Sequence, residues 1–144
     1  MLAALAEAEA AAARGEVPVG ALLVAADGRV LGRAGNRTRE LADPTAHAEM
    51  LVIREGGRKL GSQRLANADL YVTLEPCAMC AAAMSFARIR RLYFGASDEK
   101  GGAVENGVRF FAQPTCHHAP QVYGGMAARE AAALLRQFFV GRRG

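Results

Sequence analysis

The chain has 144 residues, a length that suits one domain spanning 1–144 with a real core. Hydrophobic residues make up 51% and charged residues 22%, the balance of a folded soluble protein, and no apolar stretch approaches a membrane span. Net charge is +4, modest support for a polyanionic partner, and three cysteines are too few for a disulfide scaffold.

Leu2–Arg14 is alanine-rich and reads as a helix stopped by Gly15, with no secretory h-region, so a reducing cytoplasm fits. Val17–Val24 is β-rich, Asp27-Gly28 is a hairpin turn signal, and Val30–Asn36 returns as a second strand. Asp43-Pro44-Thr45 carries a turn proline and a capping residue, and a helix is expected over Ala46–Arg58, closed near Gly56-Gly57 or Gly61. Asp69–Leu74 reads as a buried strand. Pro76 then opens a helix reaching about Ile89, and Arg90–Gly95 is a further strand. Strand, helix, strand at this spacing predicts a parallel βαβ unit. Ser97–Gln113 is irregular, Pro114–Pro120 is a compact loop, and Gln121–Tyr123 is a short fifth strand. A last helix is expected over Ala127–Val140, with Phe138 and Phe139 at core spacing.

Two helix starts carry the chemistry. His47-Ala48-Glu49 lies at the first, Pro76-Cys77-Ala78-Met79-Cys80 at the second. His47, Cys77 and Cys80 offer an imidazole and two thiolates, the donors that zinc takes in tetrahedral sites. Three protein ligands leave one position for water, which is the pattern of a catalytic rather than a structural site. Residues two apart differ by roughly 200° in mid-helix, so His47 and Glu49 converge only at a helix start. Cys77 and Cys80 are i and i+3 on one face, and both helix N-termini favour thiolates. Two thiolates formally cancel the charge of Zn²⁺, so its water needs a nearby base. Glu49 is therefore read as proton shuttle, not ligand. The competing reading is a structural zinc knot that recruits Cys116, His117 or His118.

Basic residues cluster at Arg37 and Arg39, at Arg88, Arg90 and Arg91, and at Arg142 and Arg143. Each is either a solvated surface or a contact for RNA phosphate, and the Arg90–Arg91 pair tests the latter. The cysteine helix has almost no polar face, so a second subunit is expected to cover it. A charge at Met84 disrupts that dimer if Met84 faces outward.

The His47…Cys80 pattern resembles the H-x-E…P-C-x-x-C signature of zinc nucleobase deaminases. With Val17-Pro18-Val19-Gly20-Ala21, Gly35-Asn36-Arg37, Pro44–Glu49, Leu70–Cys77 and Phe94-Gly95-Ala96, it resembles the bacterial tRNA-specific adenosine deaminases from about Glu16 to Arg143. Gly101–Gly125 departs from that pattern. The resemblance implies an α/β, three-layer α/β/α cytidine deaminase-like fold, a mixed five-stranded sheet with helices on both faces. It implies one zinc ion with a catalytic water per chain and a cytoplasmic homodimer that converts the wobble adenosine of a tRNA anticodon loop to inosine. It further implies that Asn36 and the Ala48 backbone hold the flipped base, that Val19 lines its pocket, and that Asp98 and Lys100 lie near the RNA backbone. Two rivals remain: a deaminase of a free base or nucleoside such as guanine or cytosine, and a non-catalytic zinc-containing RNA-binding module.

Overall fold

A computed structural model describes residues 1–142 in full and the backbone of residue 143. Gly144 and the Arg143 side chain, half of the predicted C-terminal basic pair, lie outside the described residues. The elements are α1 (Leu2–Ala13), β1 (Gly20–Val24), β2 (Val30–Gly35), α2 (Ala48–Leu60), β3 (Asp69–Leu74), α3 (Ala78–Ala87), β4 (Arg91–Ala96), a short 3-10 helix (Phe110–Ala112), β5 (Gln121–Tyr123) and α4 (Ala128–Arg143).

One sheet has the order β2-β1-β3-β4-β5. β1 is antiparallel to both β2 and β3, while β3, β4 and β5 run parallel, as the βαβ pattern requires. Helices α1 and α4 cover one face, and α2 and α3 cover the other. Small residues set the α1 layer. Ala4, Ala8 and Ala11 are buried, and a Cβ at Gly20 would fall 2.0 Å from the Ala4 carbonyl oxygen, so only glycine admits the helix there. The opposite layer holds the larger core, with Leu23, Val52, Leu70, Val72, Met84, Leu92 and Phe94 fully buried. Burying each such side chain contributes about 1.5–3 kcal/mol.

Four expectations shift. The first β-run is a strand only from Gly20, because the Val19 amide turns back to the Val17 carbonyl. Helix α2 starts at Ala48, not Ala46, and runs through Gly56-Gly57 to a left-handed Gly61 cap. A Cβ at Gly56 would meet Leu23 Cδ2 at 2.5 Å, so close packing outweighs the helix-weakening tendency of glycine. Met84 faces inward and is a core residue, so a charge there tests the core and not a dimer. Phe139 is 48% exposed and Phe138 only half-buried, against the core placement that their spacing implied.

The start of β1, the end of β2 and the ends of β3 and β4 all meet at one end of the sheet, with the N-termini of α2 and α3 above them. Parallel strands place their following loops together in this way.

Candidate active site

His47 is the N-cap of α2 and Cys77 the N-cap of α3, both extended in backbone, so each side chain stands at a helix mouth. The turn before His47 is locked by Asp43, which accepts the Thr45 amide at 2.8 Å and the Thr45 hydroxyl at 2.6 Å. Cys80 follows one turn into α3 and is buried. His47 Nδ1 lies 3.7 Å from Cys77 Sγ and 3.5 Å from Cys80 Sγ. The three ligand atoms all lie within 4.8 Å of one another. Tetrahedral zinc with ordinary Zn–S and Zn–N bonds requires N···S separations of about 3.6 Å. The residues therefore fit the metal in donor type and in spacing. The Cys80 hydrogen bond to Cys77, with His47 beside it, holds the Cys77 thiol down to about 4, while Cys80 is pushed upward. A metal cation bound there would take the place of the thiol protons.

Glu49 is the second residue of α2, only 4% exposed, and lies outside this ligand cluster. Burial pushes its carboxyl above the usual range. It opens with His47 and Cys77 onto a cleft of about 330 Å³, walled by Val17, Val19, Asn36, Thr38, Leu74, Glu75, Asp98 and Gly101. That volume suits a small flat ligand.

A family model for the cytidine and deoxycytidylate deaminase zinc-binding region matches residues 1–96. The tRNA-specific adenosine deaminase of Agrobacterium fabrum is 69% identical over 140 residues, covering 97% of this chain and 91% of that one. The chain belongs to the tRNA-specific adenosine deaminases. The Haemophilus influenzae tRNA-specific adenosine deaminase is 45% identical, with 97% of this chain and 81% of that one covered. A solved tRNA:A34 deaminase, from work on A-to-I editing at the wobble position, superposes with a TM-score of 0.92 at 68% identity, over 94% of this chain and 97% of that one. A guanine deaminase from Nitrosomonas europaea shares the fold, with a TM-score of 0.77 at 22% identity over 95% of this chain and 81% of that one. The fold expectation holds, and zinc is the cofactor of this family.

Other expected site residues divide. Val19, Asn36 and Asp98 line the cleft. Ala48 is fully buried, and as the first residue of α2 it carries an amide with no acceptor inside the helix. Lys100 is not in the cleft. It borders an adjoining hollow with Leu135 and Phe139, which shares Val17, Leu74 and Asp98 with the cleft. Cys116, His117 and His118 stay away from the metal cluster. Cys116 touches Ser85 and the His118 carbonyl, and His118 Nε2 bonds the Ile89 carbonyl at 2.7 Å. Cys116 and His118 pin the loop to the far end of α3, His117 is exposed, and none of the three joins the His47–Cys77–Cys80 cluster.

The Arg88–Arg91 cluster also lies away from the cleft. Arg90 grips Asp69 at 3.0 and 2.8 Å, and Arg91 bonds Gln121, all at the starts of β3, β4 and β5. The length of β4 then separates Arg91 from Ala96, at the cleft end, by about 17 Å.

Two buried carboxylates were not anticipated. Glu16 accepts the Arg39 amide at 3.1 Å, the Glu40 amide at 2.8 Å and Asn36 Nδ2 at 3.5 Å. Glu75 accepts the amides of Asp98, Val104, Glu105 and Asn106, with Asn106 Nδ2 and Ser97 Oγ. Burial pushes Glu75 up, but these donors outweigh it and hold the carboxyl down to about 2. Each carboxylate fixes one loop at the cleft mouth. The available signal was an acidic residue set directly beside an apolar strand, as in Leu74-Glu75-Pro76.

Proposed function

We propose that this protein hydrolyses the wobble adenosine of a tRNA anticodon loop to inosine, releasing ammonia. The observation that carries the chemistry is a tetrahedrally spaced His47–Cys77–Cys80 triad whose His47 and Cys77 open, with buried Glu49, on one cleft, while Cys80 lies buried behind them. Relatives such as the 69% identical Agrobacterium fabrum protein support the substrate.

His47, Cys77 and Cys80 would hold the zinc, whose Lewis acidity would make a water nucleophilic at neutral pH. Glu49 accepts the proton released as the water oxygen bonds C6 of adenine, and delivers it to N1. Glu49 then carries the remaining hydroxyl proton to the exocyclic amine. The C6–N6 bond breaks, and ammonia leaves inosine behind. Asn36 bonds the flipped base, held in place by Glu16 and by its 3.3 Å contact to Thr38 Oγ1. The free Ala48 amide meets the base edge, and Val19 packs against the ring. Asp98, on the loop that Glu75 anchors, faces the sugar-phosphate side with Lys100 beyond it. A single-stranded loop suits this site, since flipping a base costs least there.

The working unit is a cytoplasmic homodimer of one deaminase domain per chain. Ala78, Met79, Ala82, Ala83 and Phe86 form an apolar stripe along the outer side of α3, and Phe86 is 74% exposed. No helix among the described residues is long and apolar enough to cross a membrane.

The test compares an anticodon stem-loop carrying a wobble adenosine with free adenosine, guanine and cytosine in one buffer. Inosine in the hairpin with little action on the free compounds is expected. Rapid ammonia release from a free base, with the hairpin untouched, sinks the substrate assignment and leaves the zinc chemistry standing.

A further inference from the structure

Three arginines from distant parts of the chain converge beside the cleft. Arg14 ends α1, Arg39 lies in the loop after β2, and Arg142 lies in the last turn of α4. Arg39 Nη1 and Arg142 Nη2 donate to the same Gly15 carbonyl, at 3.2 and 2.5 Å, so their charges lie within about 6 Å of one another. Arg14 Nη2 donates to the carbonyl of Asn36 at 3.2 Å. Each thus anchors to backbone next to a cleft wall: Gly15 precedes Glu16-Val17, and Asn36 is itself a wall residue. Arg142 also stacks on the Phe138 ring at 4.5 Å, which fixes its direction.

Among the described residues, none of the three takes part in an ion pair. Glu16, whose carboxyl feels Arg14 and Arg39, is committed to the backbone amides of Arg39 and Glu40. Arg39 and Arg142 are like charges held this close with no carboxylate ion-paired to either and only Glu16 nearby, which leaves the group net positive, the electrostatic complement of an anion. All three are exposed. Guanidinium forks suit phosphate oxygens in particular.

We propose that Arg14, Arg39 and Arg142 form a clamp for the phosphodiester backbone of the RNA strand that presents its base to the cleft. The proposal rests on the RNA reading above. It places backbone recognition on the Gly15–Asn36 side of the mouth, and not on the Arg90–Arg91 cluster at the opposite end of the sheet.

Hairpin binding, followed by fluorescence anisotropy over a series of salt concentrations, reads the clamp without relying on turnover. Each phosphate contact on a single strand contributes roughly 0.7 to the slope of log affinity against log salt. Arg39→Gln and Arg142→Gln should each lower the slope by about that amount, and the triple Arg14/Arg39/Arg142→Gln variant by about 2. Lysine at positions 39 and 142 keeps the charge and should restore most of the slope. The Arg90→Gln/Arg91→Gln pair should leave it unchanged. Zinc content and the melting curve establish that each variant is folded, and the single variants decide the matter if the triple one is not. Unchanged slopes in the clamp variants, or a loss confined to the Arg90/Arg91 variant, overturn the clamp. Salt-sensitive hairpin binding without deamination by the parent protein contradicts the proposed reaction, while the slopes still decide the clamp.

Discussion

The Glu75 carboxylate accepts the Asp98 amide at 3.0 Å, and through it the end of β3 holds the loop that follows β4. The same side chain gathers the amides of Val104, Glu105 and Asn106. Gly102 is pressed so close that a Cβ there would sit 2.5 Å from the Glu75 carboxyl carbon. Glu75 is thus a positioning residue for the wall that carries Asp98 and Gly101. Glu75→Gln replaces an acceptor oxygen with a donor and leaves several amides unmatched. A stability loss of roughly 2–3 kcal/mol is expected, with KM for the hairpin rising more than kcat falls and zinc retained. An unchanged urea midpoint and an unchanged KM would show that the loop does not depend on this carboxylate.

The ligand assignment predicts a different signature. Cys77→Ser or Cys80→Ser replaces a thiolate by a poor ligand, so zinc content should drop sharply and the fold should weaken. Glu49→Gln keeps the size of the buried side chain but cannot take a proton. Zinc should be retained while turnover falls by at least about 10²-fold. Elemental analysis separates the two cases: zinc lost in Glu49→Gln makes Glu49 a ligand, and full zinc in both serine variants removes the cysteines from the metal.

Glu16 supplies a pH dependence of stability. Burial pushes its carboxyl up, but the Glu40 and Arg39 amides and the charges of Arg14 and Arg39 outweigh it, so the folded value lies below the ordinary 4.5. A depressed carboxyl contributes stability that is complete above the unfolded value and is lost as pH falls through the folded one. The parent should therefore exceed Glu16→Gln in urea midpoint by a constant margin above about pH 5, and the margin should shrink below about pH 4. A margin that grows on acidification contradicts the assignment.

Much of this architecture was legible because local patterns and tertiary packing agreed. The β-rich runs, the Asp27-Gly28 turn and the βαβ spacing all found their places, and so did the two ligand-bearing helix starts. The misreadings occurred where packing overrides periodicity. Of the two closures expected for α2, Gly61 is the one that caps it, and Gly56 stays inside the helix, where Leu23 fills the space a side chain would need. Phe138 and Phe139 have core spacing, yet they lie late in α4, one turn before Arg142 reaches the Gly15 carbonyl, and Phe139 borders an open hollow with Val17 and Leu74. The Arg88–Arg91 cluster looked suited to RNA because sequence shows charge but not which end of a strand bears it. Glu16 and Glu75 were invisible for a related reason: most of their partners are backbone amides 23 to 31 residues away, which carry no residue-type signature.

The last prediction separates two apolar residues of α3 that lie two positions apart. Met84 is fully buried among the residues under the sheet, whereas Phe86 points outward and is 74% exposed. Truncating Met84 to alanine should cost about 2–5 kcal/mol, the range for emptying a core site, and should leave the oligomeric state alone. Phe86→Glu should do the reverse. It removes no core volume, so the melting transition of the monomer should hardly move, but it sets a charge in the middle of the Ala78–Phe86 stripe. A symmetric contact through this face meets its own copy of the stripe, so the charge enters twice. A stable interface of that kind buries about 1,200 Å² or more in total. Light scattering should report twice 15.2 kDa for the parent at micromolar concentration and 15.2 kDa for Phe86→Glu. A monomeric parent removes the homodimer, and a dimer that survives Phe86→Glu places the contact on another face.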